Sequence, residues 1–215
     1  MTALPFKPQA MIFDLDGTLL DTEPLYTEAA QAVLTPYGYV FSSELKRRII
    51  GGDSLQGAKM TVEEYDLPIS ADEFLSKRKV HLDSLFPKAQ EIDGASEFLT
   101  HISKKGIAPG LATSSHKFHC DMKINHRTWR PLLRTVICGD DPELKQSKPA
   151  PDIFLLCASR MSVNPDETIA FEDSKNGIMA AKAAGMTVIA LKSPYTRRDD
   201  LDQADLVIES FRELM

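Results

Sequence analysis

The sequence has few cysteines, a single tryptophan, no long basic cluster and no long apolar run. Its 215 residues include 3 cysteines, and the 31 acidic residues outnumber the 25 basic ones. A basic run such as residues 46–48 is too short to follow a phosphate backbone, so we expect no nucleic-acid partner. No stretch approaches the roughly 20 apolar residues that cross a bilayer, so we expect no membrane association.

The cysteine content and the N-terminal sequence favour a cytoplasmic protein. Cys138 and Cys157 lie in apolar surroundings, as reduced core thiols do, and an odd number of cysteines does not suggest a disulfide framework. Residues 1–16 lack the basic and apolar regions of a secretory signal. With 43% apolar and 26% charged residues, the composition is that of a soluble globular domain, alone or with an insertion. Nothing indicates an exposed apolar helix, so we expect a monomer.

Short apolar or β-branched runs alternate with helical patterns over much of the chain. The runs predict buried strands, and the patterns at 92–105, 151–161 and 176–184 predict helices between the later ones. This alternation favours an α/β fold with a parallel sheet that is covered by helices on both faces. The predicted strands are residues 11–13, 107–112, 135–138, 168–171, 187–191 and 205–208.

One segment breaks the alternation, because residues 21–85 carry helix signals and no clear strand. Thr22 followed by Pro24 predicts a helix start, and residues 70–73 have the pattern of a capping box that starts another helix. Asp53 is a candidate cap for a further helix. The segment is either an insertion that crosses one sheet edge or a separate small domain. A short helix is also predicted at residues 42–50.

Two pairs of carboxylates follow predicted strands. Asp14 and Asp16 come after the first run, where Gly17 indicates an immediate turn, and Glu172 and Asp173 come after a later run. Either pair alone could be a solvated strand end or a helix cap. If the two strands are parallel neighbours, the four acids meet at the sheet edge where α/β folds bind ligands. Close carboxylates repel one another without a cation, and hard oxygen ligands suit Mg²⁺.

Two further segments supply groups that could hold a phosphate. Thr113 and Ser114 follow a predicted strand, and hydroxyl and backbone N–H groups at such a position can cradle an anion. Lys148 precedes two prolines that would fix the backbone around it, although Lys145 is a local alternative. Each segment alone is more often a helix cap or a surface lysine. Together, the four segments fall in the order acid pair, hydroxyl, lysine, acid pair.

This order of motifs resembles the haloacid dehalogenase-like hydrolase superfamily, in its β-phosphoglucomutase-like subgroup with a helical cap inserted after the first strand. Within that subgroup the chain looks most like the sugar-phosphate phosphatases of the pseudouridine-5′-phosphatase type. The resemblance implies a Rossmann-like parallel-sheet core at residues 1–20 and 89–215 and a helical cap domain at residues 21–88. The motifs are DLDGT at 14–18, LATSS at 111–115, KPAPDIF at 148–154 and FEDSKNGIMAAKAAGM at 171–186.

The resemblance also implies a Mg²⁺-dependent phosphatase that hydrolyses a small sugar- or nucleoside-type phosphate through an aspartyl-phosphate. Asp14 would be the nucleophile, and Asp16 would act first as general acid and then as general base. The phosphoryl oxygens would be held by Thr113, Ser114 and Lys148. The metal would be held by Asp14, the backbone carbonyl of Asp16, Asp173 and Glu172, the last directly or through a water. Candidate substrate-facing residues of the cap are Glu23, Tyr26, Gly51, Gly52 and Asp53.

Three other interpretations stay open at this point. A β-phosphoglucomutase would resemble the same subgroup, but such mutases carry a histidine where this chain has Tyr26 and an arginine where it has about Ser54. A phospho-acceptor receiver domain would lack both the counterpart of Asp16 and the helical insertion. A binding protein without activity is disfavoured, because every motif position holds a chemically competent residue.

Overall fold

The computed structural model describes residues 4–49, 54–196 and 198–215. Its contacts divide the chain into two compact units. One unit comprises Met1–Asp21 and Gln90–Met215, and the other comprises Thr22–Ala89. Within the described residues, the first unit contains the strands and the second is helical.

Strands and helices alternate along the first unit. In chain order, the strands are β1 (Ala10–Phe13), β2 (Leu20–Asp21), β3 (Gln90–Glu91), β4 (Ala108–Ala112), β5 (Thr135–Ile137), β6 (Thr168–Glu172), β7 (Thr187–Leu191) and β8 (Leu206–Ile208). The α-helices of the first unit are α5 (Ala95–Lys104), α6 (Lys117–Ile124), α7 (Asp152–Met161) and α8 (Lys175–Ala183). Those of the second unit, which precede them in the chain, are α1 (Glu23–Leu34), α2 (Ser43–Ile49), α3 (Ser54–Glu64) and α4 (Ala71–Leu85).

The main sheet has the strand order β5-β4-β1-β6-β7-β8 over the described residues. Every neighbouring pair of strands is parallel. Phe13 at the end of β1 is in register with Leu111 of β4 on one side and Phe171 of β6 on the other. All residues of β1 and β6 are buried, as expected of central strands in a sheet with two covered faces. The α/β fold predicted from the alternating pattern is confirmed.

A second, antiparallel ladder joins β2 to β3, and no sequence pattern predicts it. Leu20 pairs with Glu91, and Asp21 pairs with Gln90. Strands of two residues are too short to show a period. The ladder brings together the two points at which the chain leaves and re-enters the first unit.

Apolar side chains pack on both faces of the main sheet. On one face the rings of Phe13 and Phe171 stack with centroids 4.6 Å apart, and Phe98 and Phe211 extend the cluster. Aromatic pairs of this kind contribute about 0.5–1.5 kcal/mol each beyond their buried area. Ile12 belongs to a different buried cluster that includes side chains of α7 and α8. Together these clusters bury the central strands on both faces.

The helical unit follows most of its sequence signals. Helix α1 begins after Thr22, although the Thr22 side chain makes no capping hydrogen bond, and Ser70 caps α4 by accepting from the backbone N–H of Glu73. The helix predicted at residues 42–50 is α2 as far as the described residues extend. The predicted cap Asp53 lies outside the described residues. Buried side chains from α1, α3 and α4, including Leu34 and Phe74, form the unit's core.

The three cysteines, Cys120, Cys138 and Cys157, are free and buried, as the apolar surroundings of the last two predict. Trp129 is also buried, and its indole Nε1 donates to Glu91 Oε1 at 2.9 Å. Across the ranges that the structure describes, no helix combines the length and the apolar character that crossing a membrane requires.

Candidate active site

The strand order brings three of the sequence motifs to one edge of the sheet. β1 lies between β4 and β6, so Asp14, Thr113 and Glu172 all stand at the carboxyl ends of adjacent parallel strands. The backbone N–H of Asp14 donates to the carbonyl of Phe171 at 2.9 Å, which continues the β1–β6 ladder to the site. This edge is where open α/β sheets bind ligands.

A buried lysine joins the first and last carboxylate motifs. Lys148 Nζ donates to Asp14 Oδ1 at 2.6 Å, to Glu172 Oε1 at 2.6 Å and to the carbonyl oxygen of Ala112 at 3.0 Å. The side chains of Lys148, Asp14 and Glu172 are 6%, 9% and 0% exposed. The sequence left Lys145 as an alternative; it is exposed, and Lys148 is the lysine at the site.

Burial dominates the electrostatics of these carboxylates. Burial raises the pKa of Asp14 from 3.8 to about 7, with Glu172 and Asp16 adding to the rise and Lys148 opposing it. Burial and the carboxylates of Glu172 and Asp14 raise the pKa of Asp173 as well. Burial alone would lower the pKa of Lys148, but Asp14 and Glu172 outweigh it and raise that pKa. When ionised, these three carboxylates carry more negative charge than Lys148 alone can neutralise.

The carboxylates of Asp14, Glu172 and Asp173 form a group that suits a hard divalent cation. One oxygen from each lies within 4.8 Å of the others. Glu172 Oε2 accepts from the backbone N–H of Asp173 and from the N–H and hydroxyl of Ser174, which fixes the carboxylate. Thr18 Oγ1 donates to Asp173 Oδ1 at 3.2 Å. A donor set of carboxylate oxygens with excess negative charge fits Mg²⁺.

A glycine turn lets the chain pass close to Asp173. Gly17 has φ +86°, a left-handed conformation that glycine adopts without strain. A β-carbon on Gly17 would overlap the Asp173 carboxylate. The turn predicted from the glycine therefore also permits the close approach of the two acidic motifs.

Asp16 has a different cationic partner from Asp14, one that sequence reasoning missed. Lys123 Nζ donates to Asp16 Oδ1 at 2.6 Å and Oδ2 at 2.7 Å, and to Ser115 Oγ at 2.8 Å. Ser115 Oγ in turn donates to Asp16 Oδ2 at 2.7 Å. Lys123 is fully buried on α6, a helix that is not among those predicted from the sequence. The available signal was a lysine in the i, i+3, i+4 apolar pattern with Cys120 and Ile124.

Hydrogen bonds to backbone groups fix the loop that contains Thr113, Ser114 and Ser115. Thr113 is buried, and its Oγ1 accepts from the N–H of Ser115 at 3.1 Å, while Ser114 is exposed. Gly139 lies against the carbonyl of Ser114, where a β-carbon would overlap it, and its N–H donates to the carbonyl of Ser115 at 2.9 Å. The loop is thus held at the end of β4, with Ser114 facing solvent.

Comparisons with known proteins agree with this geometry. The family model described as "Haloacid dehalogenase-like hydrolase" matches residues 11–191. The chain belongs to the haloacid dehalogenase-like hydrolases. This confirms the family that the motifs indicate.

Two curated relatives of this hydrolase align over most of both chains. It is 39% identical over 206 residues to the (DL)-glycerol-3-phosphatase 2 of Arabidopsis thaliana, covering 93% of this chain and 86% of the relative. It is 37% identical over 206 residues to a Drosophila melanogaster protein provisionally named pseudouridine-5′-phosphatase, covering 94% and 89%. The hydrolase is a phosphatase of the haloacid dehalogenase-like type.

A solved structure extends the agreement to the whole fold. A Thermotoga maritima protein provisionally named a β-phosphoglucomutase matches with a TM-score of 0.81 and 31% identity, covering 93% of each chain. The fold and the subgroup inferred from the motifs are therefore confirmed.

The candidate residues of the helical unit are only partly described. In α1, the Tyr26 ring lies edge-on to Phe86 with centroids 5.8 Å apart, and the Arg78 guanidinium lies 5.6 Å from the Tyr26 centroid. Burial lowers the pKa of Arg78, with Tyr26 and Glu23 opposing the shift. Sequence reasoning did not single out Arg78. The candidates Gly51 and Gly52 lie outside the described residues.

Proposed function

We propose that this phosphatase hydrolyses a small sugar- or nucleoside-type phosphomonoester through an aspartyl-phosphate on Asp14, using Mg²⁺, in the cytoplasm. The observation that carries the proposal is that Asp14 and Asp16 are held by different lysines, Lys148 and Lys123. Two carboxylates in separate environments can perform separate tasks. A phospho-acceptor domain needs only the first of them.

In the first half-reaction, a carboxylate oxygen of Asp14 attacks phosphorus. A P–O bond forms to Asp14 as the bond to the leaving oxygen breaks, and the carboxyl proton of Asp16 passes to that oxygen. The products are an alcohol, the aspartyl-phosphate and the Asp16 carboxylate. Thr113, the Ser114 N–H and Lys148 hold the phosphoryl oxygens, and Lys148 also orients Asp14 through its 2.6 Å contact.

In the second half-reaction, a water molecule attacks the phosphorus of the aspartyl-phosphate. Its oxygen bonds to phosphorus, its proton passes to the Asp16 carboxylate, and the bond from phosphorus to Asp14 breaks. Inorganic phosphate leaves, and both aspartates return to their starting states. Asp16 thus serves as acid and then as base in one cycle.

Mg²⁺ would be held by Asp14, Asp173 and the backbone carbonyl of Asp16, with Glu172 binding directly or through a water. When bound, the cation would neutralise charge on the phosphoryl oxygens and on the buried carboxylates. The clustering of Asp14, Glu172 and Asp173 oxygens supports this assignment.

We assign substrate selection to the helical unit, acting as a cap, with Glu23 and Tyr26 as the described candidates. Their neighbour Arg78 has a buried Nε without a hydrogen-bond partner, which is an unusual feature for an arginine. The names of the relatives support small phosphorylated metabolites as the substrate class, since one is a glycerol-3-phosphatase.

The test is phosphate release from a panel of phosphomonoesters, with Mg²⁺ and with EDTA. The panel contains pseudouridine 5′-phosphate, nucleoside monophosphates, hexose 6-phosphates, glycerol 3-phosphate and β-glucose 1-phosphate. We expect Mg²⁺-dependent release with a clear preference for one substrate. No release from any of them would contradict the proposal.

A β-phosphoglucomutase is the second candidate, favoured by the 31% identity to the Thermotoga maritima protein given that provisional name. Tyr26 and Ser54 stand where the resemblance would place the mutase histidine and arginine. Conversion of β-glucose 1-phosphate to the 6-phosphate without net phosphate release would favour the mutase over the phosphatase.

A further inference from the structure

Lys123 is a buried cation at the site that the family resemblance did not supply. Its side chain is 0% exposed, and lysine is almost never fully buried without a charged partner. Both Asp16 oxygens lie within 2.7 Å of Nζ. The residues are 107 positions apart in sequence, so the pair exists only through the fold.

The backbone around Lys123 is fixed from both ends of α6. The N–H of Lys117 at the start of the helix donates to Asp140 Oδ1 at 2.7 Å, and the Lys123 carbonyl accepts from Arg127 Nε at 3.1 Å. Cys120 and Ile124 are buried on the same face of α6 as Lys123. Hydrogen bonds and packing therefore hold the backbone that places the Lys123 ammonium group beside Asp16.

Ser115 forms hydrogen bonds with both Asp16 and Lys123, so the three side chains are mutually connected. Its hydroxyl donates to Asp16 Oδ2 at 2.7 Å and accepts from Lys123 Nζ at 2.8 Å. Because the backbone N–H of Ser115 also bonds to Thr113 Oγ1, the arrangement is tied to the loop that we assign to phosphate binding. The Asp16 side chain is held on two sides and is 26% exposed, which leaves part of the carboxyl group accessible.

We propose that Lys123, together with Ser115, is a positioning residue that holds the Asp16 carboxyl group in line with the leaving oxygen of the substrate. This inference rests on the proposed function, because it assigns a support to its acid and base. Lys123 acts through Asp16 and does not touch the substrate. A carboxyl group displaced by even about 1 Å transfers protons far less effectively.

Two substrates with different leaving groups can distinguish a residue that positions the general acid from a residue that only stabilises the fold. Glycerol 3-phosphate releases a strongly basic alkoxide, which depends on a well-placed proton donor, whereas p-nitrophenyl phosphate releases a weakly basic phenolate that departs without one. A residue that positions the acid should matter much more for the first substrate. A residue that merely stabilises the fold should affect both substrates alike.

The experiment compares kcat and KM of the full-length protein for these two substrates in Lys123→Met, Lys123→Arg and Ser115→Ala. Lys117→Met is the matched control, since Lys117 lies on the same helix with a 71% exposed side chain paired to Asp121. We expect Lys123→Met to lower kcat/KM for glycerol 3-phosphate at least about tenfold more than for p-nitrophenyl phosphate, because kcat/KM reports the first half-reaction, in which the leaving groups differ. Lys123→Arg should recover part of the loss, and Ser115→Ala should show a smaller loss in the same direction.

Equal losses of kcat/KM on the two substrates, or no loss in Lys123→Met, would overturn the positioning role while leaving the proposed function intact. A wild-type protein that releases phosphate neither from p-nitrophenyl phosphate nor from any substrate of the panel would overturn the proposed function and the inference together. If another substrate of the panel is preferred, it replaces glycerol 3-phosphate in the comparison. If Lys123→Met fails to fold by circular dichroism, Lys123→Arg and Ser115→Ala decide the question by the same ratio of losses.

Discussion

The α-carbon of Gly177 lies directly against the carboxylate of Glu172, so that a β-carbon there would overlap the carboxylate atoms Cδ, Oε1 and Oε2. Gly177 is in the first turn of α8, and its N–H donates to Ser174 Oγ at 3.1 Å. The same hydroxyl donates to Glu172 Oε2 at 3.0 Å. The start of the helix thus encloses a fully buried carboxylate of the site.

Gly177→Ala should therefore weaken both the fold and Mg²⁺-dependent turnover. Alanine favours a helix by about 1 kcal/mol over glycine, but the overlap with Glu172 should outweigh this, because overpacking costs about 1–3 kcal/mol. Thermal unfolding and the Mg²⁺ dependence of phosphate release measure the two effects. Gly57→Ala in α3 is the control, since its β-carbon would meet only Ile49 at 3.4 Å. A Gly177→Ala protein as stable and active as wild type would contradict the prediction.

Asp14→Asn should abolish turnover and stabilise the metal-free protein at high pH. Burial chiefly raises the pKa of Asp14 to about 7, above its unfolded value, so ionisation weakens the fold as the pH rises from 3.8 to about 7. Asparagine cannot ionise. In EDTA, the stability gain of the variant should therefore be larger at pH 8 than at pH 5, on the order of 1–4 kcal/mol.

Melting temperatures of wild type and Asp14→Asn at the two pH values provide the check. Asp166→Asn, at an exposed acid, should change neither activity nor the pH dependence. Retained turnover in Asp14→Asn would refute its role as nucleophile, and an equal stability gain at both pH values would refute the electrostatic account.

Lys148→Met should reduce kcat at least about a hundredfold and destabilise the fold by about 3–5 kcal/mol, because it leaves the buried carboxylates of Asp14 and Glu172 without their shared cation. Lys145→Met is the matched control, three residues away and exposed. Chemical denaturation and steady-state kinetics at saturating Mg²⁺ measure both effects. Similar behaviour of the two variants would argue against the assignment of Lys148.

Asp173→Asn should weaken Mg²⁺ binding more than it alters the fold. Removing one carboxylate from the group with Asp14 and Glu172 removes a ligand and part of the repulsion that a cation relieves. We expect Mg²⁺ to raise the melting temperature of the wild type and to do so much less for the variant. Asp202→Asn, at an exposed acid, should respond like wild type. An undiminished thermal shift in Asp173→Asn would place the metal elsewhere.

The strands and the motifs that follow them could be predicted because both are encoded locally. Central parallel strands such as β1 and β6 are buried on both faces, so they read as continuous apolar runs, and Asp14 and Glu172 stand at their carboxyl ends. The start of α4 could also be predicted, because the cap, in which the N–H of Glu73 donates to Ser70 Oγ, lies within four residues. Such signals need no knowledge of the rest of the chain.

Helix α6 and the role of Lys123 could not be predicted in the same way. The buried face of α6 contains a lysine, which weakens the apolar pattern of a helix only eight residues long. The two-residue strands β2 and β3 exist through a pairing between Leu20 and Glu91, so no local period marks them. The roles of Gly51 and Gly52 stay predictions, since these residues lie outside the described residues.

By itself, the sequence determined the fold class, the family and the order of the acidic, hydroxyl and lysine motifs. It could do so because each strand and each motif is encoded by a few neighbouring residues. The tertiary structure decided which strands are neighbours, that Lys148 rather than Lys145 lies at Asp14, and that Lys123 lies at Asp16. These are contacts between residues far apart in the chain. They depend on strand order and helix packing, which the burial of apolar surface selects for the molecule as a whole.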